Sequence, residues 1–261
     1  MTDAVDAAHL ALAAALADAA GRIIRGHFRQ PLAVDDKSDQ SPVTLADRAA
    51  EAAMRELIEG RFPEHGIIGE EHGSVRAEAE HVWVLDPIDG TKSFISGIPL
   101  FGTLIALTRR GRPVLGVIDQ AILGERWLGA VGRVTTLNGA PVRTRACPSL
   151  GGASLFSTAP ELMFHGADAA GFERLRAAIK LFRAGGDCYA YAQLASGRID
   201  LVVEAQLKPY DYCALAPVIA GAGGSITDWQ GRALDLASDG RVLACGDPAL
   251  AAPARALLAG G

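Results

Sequence analysis

The sequence predicts a mixed α/β fold (α+β) with two subdomains, residues 1–145 and 146–261. Two long amphipathic helical patterns open the chain, and β-rich runs joined by tight turns follow them. Beyond about residue 146, short apolar runs alternate with helical patterns. We therefore expect a helix pair on an antiparallel sheet in the first subdomain and alternating helices and strands in the second.

The two N-terminal helices are predicted from apolar residues at helical spacing. The first covers residues 12–28, and the second begins in the string SPVTLAD and ends at Phe62-Pro63. Thr44 is a helix-start residue, and Asp47 follows it by three positions. The simplest prediction for Asp47 is therefore a capping acid that favours the helix macrodipole.

The strands of the first subdomain are predicted from β-rich runs bounded by turn residues. Ile67-Ile68-Gly69 forms a short strand that delivers Glu70 and Glu71 to a sheet end. Because alternate side chains face opposite sides, one of these acids should point towards the sheet end, although a solvated acidic loop is the alternative. Further strands are predicted at Phe101–Thr108, Pro113–Asp119 and Arg126–Ala130, with hairpin turns at Gly111 and Asn138-Gly139.

The second subdomain is predicted to contain strands at Ser154–Ser157, Lys180–Arg183 and Ile199–Glu204, helices at Phe172–Ile179 and Cys188–Ser196, and a helix from Asp211 to residue 221. A strand and a closing helix complete the chain. Pro217 lies about six residues into the helix that begins at Asp211, where it should bend the axis.

The string WVLDPIDGTKSF at 83–94 is the strongest functional signal. The apolar run before Asp86 predicts a buried strand, which should end there because Pro87 cannot continue a ladder. Asp89 lies three residues further on, so two carboxylates can converge on one volume. An isolated Asp-Gly pair is usually only a turn.

The residues after Asp89 suggest an anion site. Gly90 permits close approach of the backbone to a ligand, and Thr91 could cap a short helix whose free amides bind phosphate. Acids for metal ions beside amides for phosphate predict metal-assisted phosphoryl chemistry.

Composition limits the partners and the compartment. The net charge of −5 argues against binding to nucleic acid or anionic membranes, and an anionic substrate would need cations to offset repulsion. The four cysteines form no CxxC pair and should be reduced and buried. The N-terminus lacks the basic region of a signal peptide, and no run approaches about 18 uninterrupted apolar residues, so we expect a cytoplasmic protein.

Acids at predicted element ends can be assembled into a magnesium site, since Mg²⁺ prefers oxygen ligands. Asp86 would bridge two ions, Glu70 would hold one of them, and Asp89 with Asp211 would hold the other. The Ile88 carbonyl, which the turn leaves unpaired, would be a neutral ligand.

A nucleophilic water also needs orientation. The Thr91 hydroxyl can accept from it and donate its own hydrogen bond to Asp47, a use that competes with the capping role.

The strings PVTLAD, GEE and DPIDGT, with a late Asp before AGG, resemble the magnesium-dependent inositol monophosphatase family. The resemblance implies a layered α/β/α/β/α sandwich, one catalytic domain over residues 1–261, two or three Mg²⁺ ions, water attack on a small-molecule phosphate monoester, and a homodimer. By this resemblance the metal positions are Glu70, Asp86, the Ile88 carbonyl, Asp89 and Asp211, the water-activating pair is Thr91 with Asp47, and the phosphate-binding amides are those of Gly90 and Thr91.

The longer strings GEEHG, GDCYAYA and LKPYDYCALAPVIAGAGG resemble the histidinol-phosphate phosphatase branch, which hydrolyses L-histidinol phosphate in histidine biosynthesis. The ammonium and imidazole of that substrate call for acids beyond the metal ligands. Asp187 and Glu204 are the candidates, beside Asp211. Glu204 matches the family's substrate-contacting acid, whereas Asp187 could simply cap a turn. Tyr210 stands where Trp is usual, which puts an inositol substrate in doubt.

Three alternatives follow from the same residues. The first is another substrate, such as inositol 1-phosphate or a range of sugar and nucleotide esters. The second is a haloacid-dehalogenase mechanism with an Asp nucleophile, although its DxDGT string has acids one residue closer than Asp86 and Asp89. The third is a metal-dependent scaffold without turnover, against which the intact set of acids argues.

Overall fold

The computed structural model describes residues 5–30, 34–36 and 42–260. The helices of these residues are α1 (Ala7–His27), α2 (Leu45–Arg61), α3 (Thr91–Ile95), α4 (Pro160–Met163), α5 (Gly166–Ala178), α6 (Asp187–Ala195), α7 (Pro209–Tyr212), α8 (Leu215–Gly221) and α9 (Ala251–Ala259). The strands are β1 (Val34–Asp36), β2 (Pro42–Thr44), β3 (Gly66–Gly69), β4 (Gly73–Val75), β5 (His81–Asp89), β6 (Gly102–Arg109), β7 (Arg112–Gln120), β8 (Glu125–Ala130), β9 (Thr136–Leu137), β10 (Ala140–Pro141), β11 (Ser154–Ser157), β12 (Leu181–Ala184), β13 (Leu201–Glu204), β14 (Ser225–Thr227) and β15 (Val242–Cys245).

Two sheets carry the fold. The larger has the strand order β10-β9-β8-β7-β6-β5-β3-β4, and the smaller has the order β12-β11-β13-β15-β14. The prediction of a purely antiparallel first sheet is wrong, because β3 and β5 pair in parallel. The short edge strand β4 forms a hairpin with β3, and the chain then returns past β3 to place β5 on its other side.

The layers follow the order α/β/α/β/α, which confirms the predicted fold class. The helices α1 and α2 cover one face of the larger sheet, α6 to α8 fill the space between the sheets, and α5 with α9 cover the outer face of the smaller sheet. Trp83 and Leu85 of β5 face the first layer, whereas Val82 and Val84 face the middle layer. Burial on both faces explains the uninterrupted apolar run in β5.

Helix α1 is long and apolar enough to cross a membrane, by length and composition only. It is the one such helix in the described part of the chain, and half of its most apolar stretch is buried inside the protein. Leu16 and Ile24 are almost fully buried and belong to the core that α1 shares with α2 and the larger sheet. In this structure α1 therefore serves as a core helix.

The helix predicted from Asp211 is divided into α7 and α8, with Cys213 and Ala214 between them. The backbone keeps helical torsions there, with φ of −61° and −69°. Pro217, in the first turn of α8, has no N–H to donate to the Cys213 carbonyl. The sequence predicted one bent helix, whereas the structure has two helices, α7 and α8. The closing segment contains two strands, β14 and β15, rather than the predicted one.

The four cysteines, Cys147, Cys188, Cys213 and Cys245, are free and buried, as predicted.

A buried histidine makes part of this core sensitive to acid. The indole Nε1 of Trp83 donates to Nδ1 of His65 over 3.1 Å, and His65 is only 5% exposed. The rings of His9 and His81 lie 5.4 and 5.0 Å from the His65 ring, centroid to centroid. Burial, followed by the charge of His81, lowers the pKa of His65 to about 4. Protonation would place a hydrogen on the nitrogen that accepts from Trp83.

We expect the contribution of His65 to the free energy of unfolding to fall as the pH decreases from 6.5 towards 4. In this window the unfolded chain binds a proton at His65 and the folded chain does not, so acid favours unfolding. The expected loss is about 2 kcal/mol, below the full linkage value because Glu64 and solvent screen the charge. Urea unfolding at several pH values should show that the wild type loses about 2 kcal/mol relative to His65→Gln as the pH falls through this window. Gln keeps an acceptor for Trp83, and the titration of all other groups is common to both proteins. Parallel curves for the two proteins would contradict this origin.

Candidate active site

The site lies where β5 ends. The prediction that the strand ends at Asp86 is wrong, because β5 continues to Asp89 with a shift in its pairing register. Asp86 and Asp89, three residues apart, pair with residues that are two apart on β6, so β5 contains a bulge. Within it, the Pro87 carbonyl accepts a hydrogen bond from Thr103 Oγ1 over 2.8 Å. The bulge thus accommodates the proline that was expected to end the strand.

Three carboxylates meet beside this bulge. One oxygen each from Asp86, Asp89 and Asp211 lies within 4.8 Å of the others. A backbone amide orients each side chain: Ile88 N donates to Asp86 over 3.0 Å, Cys188 N to Asp89 over 2.6 Å and Lys208 N to Asp211 over 2.6 Å. The amides come from β5, α6 and the start of α7, so elements from distant parts of the chain fix the cluster.

The electrostatics of the cluster favour a bound cation. Burial, followed by repulsion from Glu70, Asp89 and Asp211, raises the pKa of Asp86. Burial, followed by the charges of Asp187 and Asp211, raises the pKa of Asp89, and burial raises the pKa of Asp211 to about 7. A partly buried set of mutually repelling oxygen donors is the chemistry that suits Mg²⁺ or a similar hard cation, so the residues fit such an ion.

Glu70 lies at the edge of this cluster. It directly follows β3, where its amide donates to the Leu85 carbonyl over 3.2 Å. Its side chain lies within hydrogen-bonding reach of Asp86, and its charge adds to the burial that raises the pKa of Asp86. The structure therefore brings Glu70 to the acids of β5, although it is not one of the three residues whose oxygens lie within 4.8 Å of one another.

Gly90 and Thr91 form the turn into α3. Gly90 has a φ of +92°, and a Cβ there would lie 2.9 Å from Asp187 Oδ2. Gly90 is the N-cap residue and Thr91 the first helical residue, so the prediction that Thr91 caps the helix is wrong. Its hydroxyl donates instead to the Ile88 carbonyl over 3.1 Å. The prediction that the turn leaves the Ile88 carbonyl unpaired is therefore wrong. A carbonyl oxygen has a second lone pair, which could still bind a metal ion.

Asp47 adopts the capping role that was the simpler prediction. Its Oδ2 accepts from the Thr44 amide over 2.9 Å and from the Thr44 hydroxyl over 2.5 Å. The predicted hydrogen bond from Thr91 to Asp47 is not formed, because the Thr91 hydroxyl is directed to Ile88. Asp47 is 1% exposed, and its Oδ1 is a buried oxygen with no hydrogen-bond partner among the described residues. Burial raises the pKa of Asp47, and the charge of Glu70 adds to this effect.

The predicted substrate acids Asp187 and Glu204 line the same cavity as two members of the cluster. Asp187, Glu204, Asp89 and Asp211 all face a space of about 40 Å³ between the sheets. Asp187 accepts from Ser93 Oγ over 3.1 Å, and burial raises its pKa to about 6. Burial also raises the pKa of Glu204 to about 7.

The partners of Glu204 were missed by the sequence analysis. The Tyr191 hydroxyl donates to it over 2.9 Å, and the Thr158 amide and hydroxyl also donate to it. Tyr191 belongs to the string GDCYAYA, which offered a signal, whereas nothing in the sequence marks Thr158.

The sequence profile of the inositol monophosphatase family matches residues 6–259. The chain belongs to the inositol monophosphatase family. This is a family of phosphatases, and the cluster of acids described above therefore lies in a phosphatase fold.

Members of the family with different names resemble this chain. The bifunctional phosphatase IMPL2 of Arabidopsis thaliana, a chloroplastic protein, is 56% identical over 84% of the chain, and the match spans only 63% of that protein. A histidinol-phosphatase of Chlorobaculum parvum is 37% identical over 90% of the chain and 91% of its own length. The structure of an inositol monophosphatase from Zymomonas mobilis superposes with a TM-score of 0.88, at 49% identity and over 95% and 96% of the two chains.

Proposed function

We propose that this inositol monophosphatase family member is a Mg²⁺-dependent phosphate monoester hydrolase in which Asp86, Asp89 and Asp211, with Glu70 and the Ile88 carbonyl, hold two or three ions. The single observation that carries the proposal is the meeting of three carboxylates within 4.8 Å, one of them buried and two half-buried. Without a cation, this arrangement would leave the repulsion between the three carboxylates uncompensated.

The chain's own residues have defined tasks in this proposal. Bound cations would supply Lewis acidity and a water molecule activated for attack on phosphorus. The amides of the N-cap residue Gly90 and of Thr91 bind the phosphate oxygens, because amides at a helix start have no partner within the helix. Thr91 and Asp47 orient the water. For this, the Thr91 hydroxyl leaves the Ile88 carbonyl and donates to Asp47, whose Oδ1 has no partner among the described residues.

The substrate we propose is L-histidinol phosphate. Asp187 and Glu204 place two acids in the cavity in addition to Asp89 and Asp211, and a substrate with an ammonium group and an imidazole would pair with them. The similarity to the Chlorobaculum histidinol-phosphatase supports this choice. Inositol 1-phosphate is the second candidate, favoured by the similarity to the Zymomonas protein.

The test is a comparison of kcat/KM for histidinol phosphate, inositol 1-phosphate and fructose 1,6-bisphosphate. We expect histidinol phosphate to give the highest value with Mg²⁺ and no turnover of any ester with excess chelator. A higher value for inositol 1-phosphate would establish the second candidate. Turnover that persists in chelator would contradict the proposed metal dependence.

Exchanging the cavity acids for amides should raise KM for histidinol phosphate by about tenfold, since a charge-assisted hydrogen bond contributes about 1.5–3 kcal/mol. Asp187→Asn suits the φ of +44° at this position, which Asn tolerates. In Glu204→Gln the side-chain oxygen can still accept from the Thr158 amide while the NH₂ group donates to the Tyr191 hydroxyl oxygen, because a hydroxyl is both donor and acceptor. KM for a small phosphate ester with an uncharged leaving group should change much less. The control Glu173→Gln, at an exposed position of α5, should change neither KM. Equal effects on both esters would remove the two acids from substrate recognition.

A single catalytic domain, a homodimer and a cytoplasmic location stay predictions. Light scattering of the purified protein would test the homodimer.

A further inference from the structure

Helix α2 carries a second buried acid, Glu51, behind the loop that bears Glu70. The side chain of Glu51 has no exposed surface, and it forms an ion pair with Arg55, whose Nε lies 2.7 Å from Oε1. Its two oxygens accept from backbone amides of the β3–β4 loop. The Glu71 amide donates to Oε2 over 2.7 Å, and the His72 amide donates to Oε1 over 3.1 Å.

The same carboxylate also lies against the residue before Glu70. A Cβ at Gly69 would be 2.0 Å from Glu51 Oε1, so only glycine fits there. Arg55 extends the contact, because its guanidinium donates to the Gly73 carbonyl at the far end of the loop. Glu51 and Arg55 together therefore hold the backbone on both sides of Glu70.

These contacts link the loop to the active site. Asp47, Glu51 and Arg55 follow one another at four-residue intervals and so lie along one side of α2. The Glu70 amide donates to the carbonyl of Leu85, the residue before Asp86, over 3.2 Å, and the Glu70 side chain lies within hydrogen-bonding reach of Asp86. A shift of the loop would thus move Glu70 away from the acids of β5.

We propose that Glu51 is a positioning residue, which with Arg55 clamps the loop at 69–73 so that Glu70 faces Asp86. This inference rests on the proposed function, since it assigns Glu70 to the metal site. Both side-chain oxygens of residue 51 must accept hydrogen bonds, because two backbone amides and one guanidinium donate to this carboxylate. In Glu51→Gln, the side-chain amide would direct N–H groups towards another donor and displace the loop.

The test measures binding of Mn²⁺ to the full chain by titration calorimetry, together with steady-state kinetics. For Glu51→Gln we expect a Kd for Mn²⁺ about 10–100-fold higher than that of the wild type, the range typical of groups that orient metal ligands. We expect kcat to fall and KM for the phosphate ester to change by less than about twofold, since the clamp does not contact the cavity. Glu56→Gln, at an exposed position of the same helix, is the matched control and should bind Mn²⁺ like the wild type.

A second variant covers the case in which Glu51→Gln does not fold. Glu51→Asp keeps the charge that pairs with Arg55 but is one methylene shorter, so it cannot reach both loop amides. We expect it to fold and to bind Mn²⁺ more weakly than the wild type. Wild-type affinity and kcat in whichever variant folds would overturn the clamp. A wild-type chain that binds no Mn²⁺ and releases no phosphate would instead overturn the proposed function.

Discussion

Asp89→Asn should lower kcat for phosphate release by about a thousandfold or more without unfolding the protein. Loss of a ligand charge weakens the binding of a cation whose electrostatic contribution is several kcal/mol, and each 1.36 kcal/mol is tenfold in rate. Asn keeps the shape of the side chain and an acceptor for the Cys188 amide, now 2.6 Å from Asp89. The measurement is Mg²⁺-dependent release of inorganic phosphate at saturating substrate.

The same variant has a second expected property. The charge of Asp89 adds to the repulsion that raises the pKa of Asp86, so its removal should leave the metal-free protein as stable as the wild type or more stable. Asp168→Asn, on the outer helix α5, is the matched control and should retain full activity. Wild-type turnover in Asp89→Asn would remove this residue from the proposed ligand set.

Gly90→Ala should reduce kcat by about a hundredfold and lower the free energy of unfolding by about 1–3 kcal/mol. The φ of +92° is unfavourable for a residue with a Cβ, and that atom would lie 3.1 Å or less from three atoms of Asp187. Relief of the contact would move the start of α6, whose Cys188 amide orients Asp89. Misplacing a reacting group by about 1 Å can lower the rate by about a hundredfold.

Gly60→Ala is the control for this prediction, because a Cβ at this position of α2 would meet no atom within 4 Å. It should stabilise the protein by about 0.5–1 kcal/mol and leave the rate unchanged. Both effects are measured by urea unfolding and phosphate release. If Gly90→Ala behaved like Gly60→Ala, the close approach of Asp187 to this turn would have no functional role.

The sequence predicted those parts of the fold and site that depend on local pattern. The strand before Asp86, the strand before Glu70 and the hairpin at Asn138-Gly139 have strong local signals, and the structure contains all three. The late acid, Asp211, was found because its string is distinctive. These signals sufficed to bring the acids of the cluster together in the prediction.

Details that depend on distant contacts were not predictable. The amide that orients Asp89 belongs to Cys188, 99 residues later in the chain, and no local pattern encodes that pairing. The Thr91 hydroxyl could reach several acceptors, and only the packing of the turn directs it to Ile88. Glu51 was missed because an acid in an amphipathic helix is normally solvated. Its one signal was its position four residues after Asp47.

The most direct test of the account is anomalous diffraction from crystals grown with Mn²⁺ and inorganic phosphate. We expect manganese peaks within coordination distance, about 2.0–2.4 Å, of carboxylate oxygens of Asp86, Asp89 and Asp211, with phosphate beside the Gly90 and Thr91 amides. No manganese at these acids, or manganese bound only elsewhere while the protein still hydrolyses its ester, would contradict the account.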